Sequence, residues 1–181
     1  MLLSIAIRRL EHILSVYGFH LENSPNCYRL TDKGNRIANI TYGITTEETY
    51  RDKFQDVLSI FFINVNPLYQ RRGIATWLLL YTICVVTNQA ETSLKYAVLD
   101  DVSEEGHRVG PNLYESIGFR YRIQPTRQYM KDGILYWKTY GPERILSIEE
   151  LQHRLFPLIH NFSKKVKLVF TLGRTSLCWN T

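Results

Sequence analysis

The sequence predicts a mixed α/β (α+β) fold: a twisted, mostly antiparallel sheet with one parallel strand pair, flanked by helices. Three stretches carry that reading. Residues 57–65, Val-Leu-Ser-Ile-Phe-Phe-Ile-Asn-Val, form a run of β-branched and aromatic residues that suits a largely buried strand. Residues 74–89 are too long and too apolar for anything but a buried helix. Residues 94–99 read as a second strand, and a strand–helix–strand crossover makes the two strands parallel.

The remaining elements follow in chain order. Residues 2–17 read as an amphipathic helix, with Leu2, Leu3, Ala6, Leu10, Ile13, Leu14 and Tyr17 on one face and Arg8, Arg9, Glu11 and His12 on the other. Gly18 ends it. Such a helix packs on a sheet; contact with a membrane surface is the other reading, and the polar face carries little charge for it. No opening strand precedes the meander, beyond a remnant at His20-Leu21-Glu22. Residues 27–31 and 36–44 read as a hairpin turned by Asp32-Lys33-Gly34-Asn35. Residues 45–55 read as a polar loop, and residues 108–117 as a helix starting near Val109 or Gly110. Residues 119–123 and 134–140 are expected to be the last antiparallel strands, joined by a basic, aromatic link. Ser147-Ile148-Glu149-Glu150 matches a capping box and opens a helix to about residue 156 or 160, with a strand expected near 168–171. The whole chain, 1–181, reads as one domain with a core at about 28–140 and a C-terminal extension from about 142.

The junction after the central strand has a specific physics. Asn66-Pro67 ends the strand because proline offers no N–H to a ladder. Gln70-Arg71-Arg72-Gly73-Ile74-Ala75 then opens directly into the apolar helix. The first N–H groups of a helix lack partners and point one way, with the helix dipole behind them. A phosphate or pyrophosphate fits there. Gly73 allows close approach, Ala75 is small, and Arg71 and Arg72 add positive charge.

These six residues resemble the Gln/Arg-x-x-Gly-x-Gly/Ala acyl-CoA loop of the GCN5-related N-acetyltransferases (GNAT). A second stretch, Asn112-Leu113-Tyr114-Glu115-Ser116-Ile117-Gly118-Phe119, is similar to the family's helix that closes on Gly-Phe. The resemblance spans about residues 28–122. It implies the GNAT fold, in which the parallel pair splays and holds the pantetheine arm. It also implies acetyl-CoA as acyl donor and transfer of the acetyl group to a primary amine. The implied cofactor contacts are Ile63, Asn64, Val65, Gln70, Arg71, Arg72, Gly73, Ile74, Ala75 and Asn112.

Acetyl transfer needs a polarised carbonyl, a deprotonated amine and a proton for the thiolate. Tyr114 matches the family's tyrosine facing the CoA sulfur and is assigned as general acid, with plain packing as the other reading. Relatives often carry a glutamate base in the strand before the loop, whereas residues 57–65 contain Ser59 and no carboxylate. Asp56 lies too far back, so Asp100, at the end of the next strand, is the candidate base. His107 reads as an exposed helix cap.

Composition narrows the classes. A net charge of +5 suits an anionic ligand or an acidic surface. Cys27, Cys84 and Cys178 are odd in number and widely spaced, so a disulfide framework or metal site is not expected, and an intracellular (cytoplasmic) setting is. No apolar run approaches the ~20 residues that span a bilayer, and Arg8-Arg9 follow the first apolar run instead of preceding it, the wrong order for a secretory signal. Neither a metal nor a membrane partner is expected. The acceptor is an amine-bearing protein or small molecule, and a homodimer is expected by analogy alone. A non-catalytic CoA-binding or interaction module on the same fold is the alternative. Nucleic-acid binding through Arg120, Arg122, Arg127 and Lys131 with Tyr121 and Tyr129 ranks last.

Overall fold

The structure, a computed structural model, describes residues 2–49, 53–90, 93–100, 113–121, 127–131, 134–138 and 143–176. Side chains are described for all of these except 48–49, 53–54, 127–131, 134–138 and 165–176. Helix α1 (Leu2–Tyr17) comes first and ends on left-handed Gly18, φ +71°. Strands β1 (His20–Ser24), β2 (Cys27–Asp32), β3 (Asn35–Thr49) and β4 (Lys53–Val65) form an antiparallel meander. After a 3₁₀ turn at Pro67–Tyr69 come α2 (Ile74–Gln89), β5 (Tyr96–Asp100), α3 (Leu113–Ile117) and β6 (Arg120–Tyr121). Strands β7 (Arg127–Lys131) and β8 (Ile134–Lys138) pair only with each other, and β9 (Glu143–Ser147) leads into α4 (Ile148–Ser176). The main sheet has seven strands in the order β1-β2-β3-β4-β5-β9-β6. All its pairs are antiparallel except β4–β5.

Several sequence expectations are corrected. His20–Ser24 is a full edge strand, not a remnant, paired from His20↔Thr31 to Ser24↔Cys27. Residues 45–49 and 53–55 are not loop; they extend β3 and β4 as one long hairpin arm. Threonine explains this. Thr45 and Thr46 are polar yet β-branched, so they suit a solvated strand. Their hydroxyls bond across to Ser59 and, at 2.9 Å, to Asp56. The strand beside β5 is β9, and the described part of 134–140, Ile134–Lys138, pairs with β7 in a separate two-stranded sheet. Helix α4 continues through Pro157 to Ser176, so 168–171 is helix and not strand. Leu151, Leu155, Ile159 and Phe162 recur at helical spacing and are buried, and packing outweighs the proline. The capping box is half formed: the Glu150 N–H donates to Ser147 Oγ at 3.3 Å.

The hairpin turn between β2 and β3 follows its sequence closely. Lys33 (φ +49°) and Gly34 (φ +81°) are both left-handed, the type I′ geometry that matches strand twist.

The core lies on one face of the sheet. Leu58 and Ile60 of β4, Ala97 and Leu99 of β5, and buried residues of α1, α2 and α4 join in one apolar cluster. Helix α2 is buried from Ile74 through Val86 on every side except at half-buried Ala75 and Thr76. Trp77 locks it to α1, donating its indole N–H to the Leu10 carbonyl at 2.9 Å. Leu2 is the departure on the predicted apolar face of α1, being half exposed. No described helix is long and apolar enough to cross a membrane.

Two stability predictions follow from this core. Trp77→Ala removes a fully buried ring and its hydrogen bond to α1, so it should cost about 3–5 kcal/mol in urea unfolding. Burial pushes the Tyr81 hydroxyl and the Cys84 thiol up to about 12, and pushes Tyr28 up as well. These groups keep their protons in the fold while the unfolded chain releases them from about pH 9–10. Their stabilisation is therefore whole below that range and lost as pH rises towards 12. The urea midpoint should hold from pH 7 to 8.5 and fall steadily above pH 10.

Candidate active site

The site begins where β4 leaves its parallel partner. The β4–β5 ladder has three pairs, Leu58↔Ala97, Ser59↔Val98 and Ile60↔Leu99, and then stops. At that point β4 carries a bulge: Thr41 pairs with Phe62 and Tyr42 with Ile60, so Phe61 is the extra residue. A bulge bends and twists its strand. Beyond it, Phe62 to Val65 stay paired to β3 and, among the described residues, have no partner strand on the β5 side. The parallel ladder thus ends at this bulge. Ile63 and Val65 point towards the core, while Asn64 is exposed.

The loop that follows is held by its own polar groups. Asn66 N–H donates to the Ile37 carbonyl at 2.8 Å, and Asn66 Oδ1 accepts from Leu68 N–H at 3.0 Å. Gln70 reaches back and donates from Nε2 to the Val65 carbonyl at 3.0 Å. Arg71 (φ +59°) and Gly73 (φ +82°) are both left-handed, which swings the chain into α2. Gly73 is the N-cap and offers no side chain to the open N–H groups. The first turn of α2 carries no acidic residue. Its amides and dipole therefore keep their affinity for an anion. Arg71 is exposed, and the Arg72 guanidinium lies 5.4 Å from the Tyr69 ring centre.

Gly73 has a second neighbour that the sequence did not reveal. A β-carbon on it would collide with the Phe162 ring of α4. The glycine thus serves a contact within the chain as well as the backbone turn.

Tyr114 lies in α3, half-buried, with its ring edge-on to Phe119 at 6.2 Å. It packs against the main core, on the helix-covered face. The next residue, Glu115, accepts from Arg144 Nη1 of β9 at 3.2 Å. Arg144 is 2% exposed and stacks its guanidinium 3.8 Å from the Tyr121 ring centre. A buried cation needs such partners, so this pair fixes α3 to the sheet. Asn112 and His107 lie outside the described residues.

The opposite face of the sheet is different. Its apolar cluster is small, Val57, Val98 and Ile145 with half-buried Tyr96, and takes in no helix residue. A cavity of about 360 Å³ opens there, lined by Glu47, Ser59, Phe61, Val98, Asp100 and Glu143 among others. Asp100 is exposed and pairs in register with Glu143. Glu47, placed by sequence reasoning in a loop, stands on β3; its Oε1 lies 3.3 Å from both Ser59 Oγ and Thr45 Oγ1. The alternation of Thr45 and Glu47 was the signal for that strand. Cys84 is buried in α2 with its thiol pushed up by desolvation, so it is packing and not a nucleophile. Among the described residues no group of three or more His, Cys, Asp or Glu is arranged to hold a metal ion.

Comparison with known proteins gives the fold a context. No protein-family model matches the sequence, and no curated protein matches it. Solved structures do match. A Tyr→Phe mutant of the toxin AtaT bound to the C-terminus of its antitoxin AtaR superposes with a TM-score of 0.53 and 14% identity, covering 72% of this chain and 70% of that one. The same mutant complex with acetyl-CoA gives a TM-score of 0.52 and 12% identity over 70% of each chain. A further bacterial toxin gives 0.51 and 18% identity, over 71% of this chain and 70% of that one. The chain has the GNAT fold. The strand, glycine-containing loop and crossover helix follow one another as the resemblance implied; the bulge at Phe61 and the left-handed φ of Gly73 are additions from the structure.

The Gly73 contact makes a direct prediction. Gly73→Ala adds a β-carbon at positive φ and against Phe162, and should cost about 2 kcal/mol or more. In a Phe162→Ala background the same change should cost less, with a coupling of about 1 kcal/mol in urea unfolding.

Proposed function

We propose that this chain is an acetyl-CoA-dependent N-acetyltransferase acting on an amine-bearing acceptor. One observation carries the reading: the free edge of β4 past Ile60 leads, through a short fixed loop, to the open amides at the start of α2. An extended chain with amide groups and a diphosphate at its end matches that sequence of features. The pantetheine arm lies along the edge at Ile63, Asn64 and Val65. The diphosphate lies at Arg71, Arg72, Gly73, Ile74 and Ala75, with Gln70 bracing the loop. Neighbouring structures support the donor, since the AtaT mutant complex holds acetyl-CoA.

The chemistry needs no group beyond side chains and backbone. A backbone amide of the free β4 edge polarises the thioester carbonyl. The amine nitrogen attacks the carbonyl carbon, a C–N bond forms, the nitrogen gives its proton to a carboxylate of the cavity wall, and the C–S bond breaks. The sulfur takes the proton of the Tyr114 hydroxyl. The second reading, a CoA-binding or interaction module without turnover, is favoured by the Phe162 ring packed at Gly73 and by the lack of a carboxylate on β4 from Val57 to Val65.

Calorimetric titration with acetyl-CoA tests the reading. Micromolar binding is expected, weakened about tenfold by Arg71→Glu, which reverses an exposed charge without touching the core. Thiol release with spermidine, a lysine peptide or a free amino-terminal peptide then separates the two readings. Tyr114→Phe should lower kcat about 10²-fold with acetyl-CoA affinity retained. Binding without thiol release for any acceptor favours the module, and no binding removes both.

A further inference from the structure

We infer that Glu47, reaching across from β3, receives the proton that the acceptor amine loses. This rests on the acyltransfer reading above and names the group that β4 itself lacks. Ser59, 5% exposed, occupies the middle of β4 and faces the cavity side of the sheet. Glu47 covers that serine from the neighbouring strand, with Oε1 3.3 Å from Ser59 Oγ. Thr45 Oγ1 lies equally close to the same oxygen, and the two hydroxyls also contact each other. Two of these three contacts can be hydrogen-bonded at once, since the two hydroxyls carry two hydrogens. They hold the side chain in the cavity wall.

The cavity is placed for this step. It opens at Ser59, Phe61 and Val98, the point at which β4 and β5 part. Tyr114 packs with the helix-covered face, whereas Glu47 lines the other. A thioester carbonyl held in the gap between β4 and β5 then has one face towards each. The amine enters from the cavity, and the thiolate leaves towards the helices. As the nitrogen bonds to the carbonyl carbon its basicity collapses, and the proton on it passes to the Glu47 carboxylate. The carbonyl electron pair returns, the C–S bond breaks onto sulfur, and Tyr114 supplies the thiol proton. One proton enters from the nitrogen and one leaves to the sulfur, so the step balances.

The same wall carries Asp100 and Glu143, cross-strand neighbours on β5 and β9. Their carboxylates add negative charge to that wall. An ammonium is drawn towards it, gives one proton to water before attack, and passes the second to Glu47 as the C–N bond forms.

The test uses the full-length protein with spermidine and a lysine peptide as acceptors. Glu47→Gln should lower kcat about 10²–10⁴-fold, with the acetyl-CoA dissociation constant within twofold of wild type. Glu47→Ala should regain at least tenfold of its loss in added formate, which fits the vacated space. Glu22→Gln, on the far edge strand, should keep the wild-type rate. Retained kcat in Glu47→Gln overturns the inference, as does loss of acetyl-CoA binding in step with kcat, since that marks a structural role. Loss confined to Asp100→Asn gives the proton to Asp100 instead and also overturns it. If wild type binds acetyl-CoA but acetylates neither probe, the acyltransfer reading itself fails, and this inference with it.

Discussion

The rest of the structure depends on the short parallel ladder between β4 and β5. Parallel strands cannot be joined by a turn; they need a crossover, and here the crossover is α2. Because α2 packs on the sheet and is then covered by α1 and α4, it is apolar on all sides. Because the ladder ends after Ile60↔Leu99, β4 runs on with one edge open. The bulge at Phe61 sets where that happens, and Gly43 makes room for it. A β-carbon on Gly43 would sit 2.9 Å from the Phe61 ring, so the ring lies where it does because the glycine leaves it space. Phe61 and Phe62 are 63% and 54% exposed, and Phe61 lines the cavity.

The two faces of the sheet do different work. One is closed by helices and holds the apolar cluster, Tyr114 among its margins. The other carries hydroxyls and carboxylates around a cavity. Strand alternation produces this division directly: Leu58 and Ile60 point one way, Val57 and Ser59 the other. Arg144 and Glu143, adjacent on β9, are split by the same rule. One is buried against Glu115 and Tyr121, and the other faces the cavity.

Local signals were legible where one physical cause dominated. Helix α2 was readable to the residue because sixteen apolar-rich positions lie between Gly73 and Ala90. The Lys33-Gly34 turn was readable because few residues adopt positive φ. The turn from β4 into α2 was readable from Asn66-Pro67 and Gly73 together. Three features were not. The arm at 45–49 and 53–55 looked like loop because its residues are polar, yet threonine prefers strand. Strand β9 is five residues that begin with two charges, and its Arg144 is buried with α3 and β6 supplying Glu115 and Tyr121. The length of α4 was masked by Pro157 and by the lysines after it. Glu47 was missed for the first reason: a carboxylate in a presumed loop has no assigned neighbour, whereas on β3 it has Ser59.

The contact between Gly73 and Phe162 has a consequence for synthesis. The two residues lie far apart in the chain, and a ribosome delivers Gly73 long before Phe162. Helix α1, most of the sheet and α2 are all made while the loop still lacks the ring that packs on it. The nascent domain therefore passes through a stage with an apolar gap beside its most positively charged turn, and release of the C-terminal segment closes it. Helix α4, which is no part of the sheet, is then the element that finishes the loop.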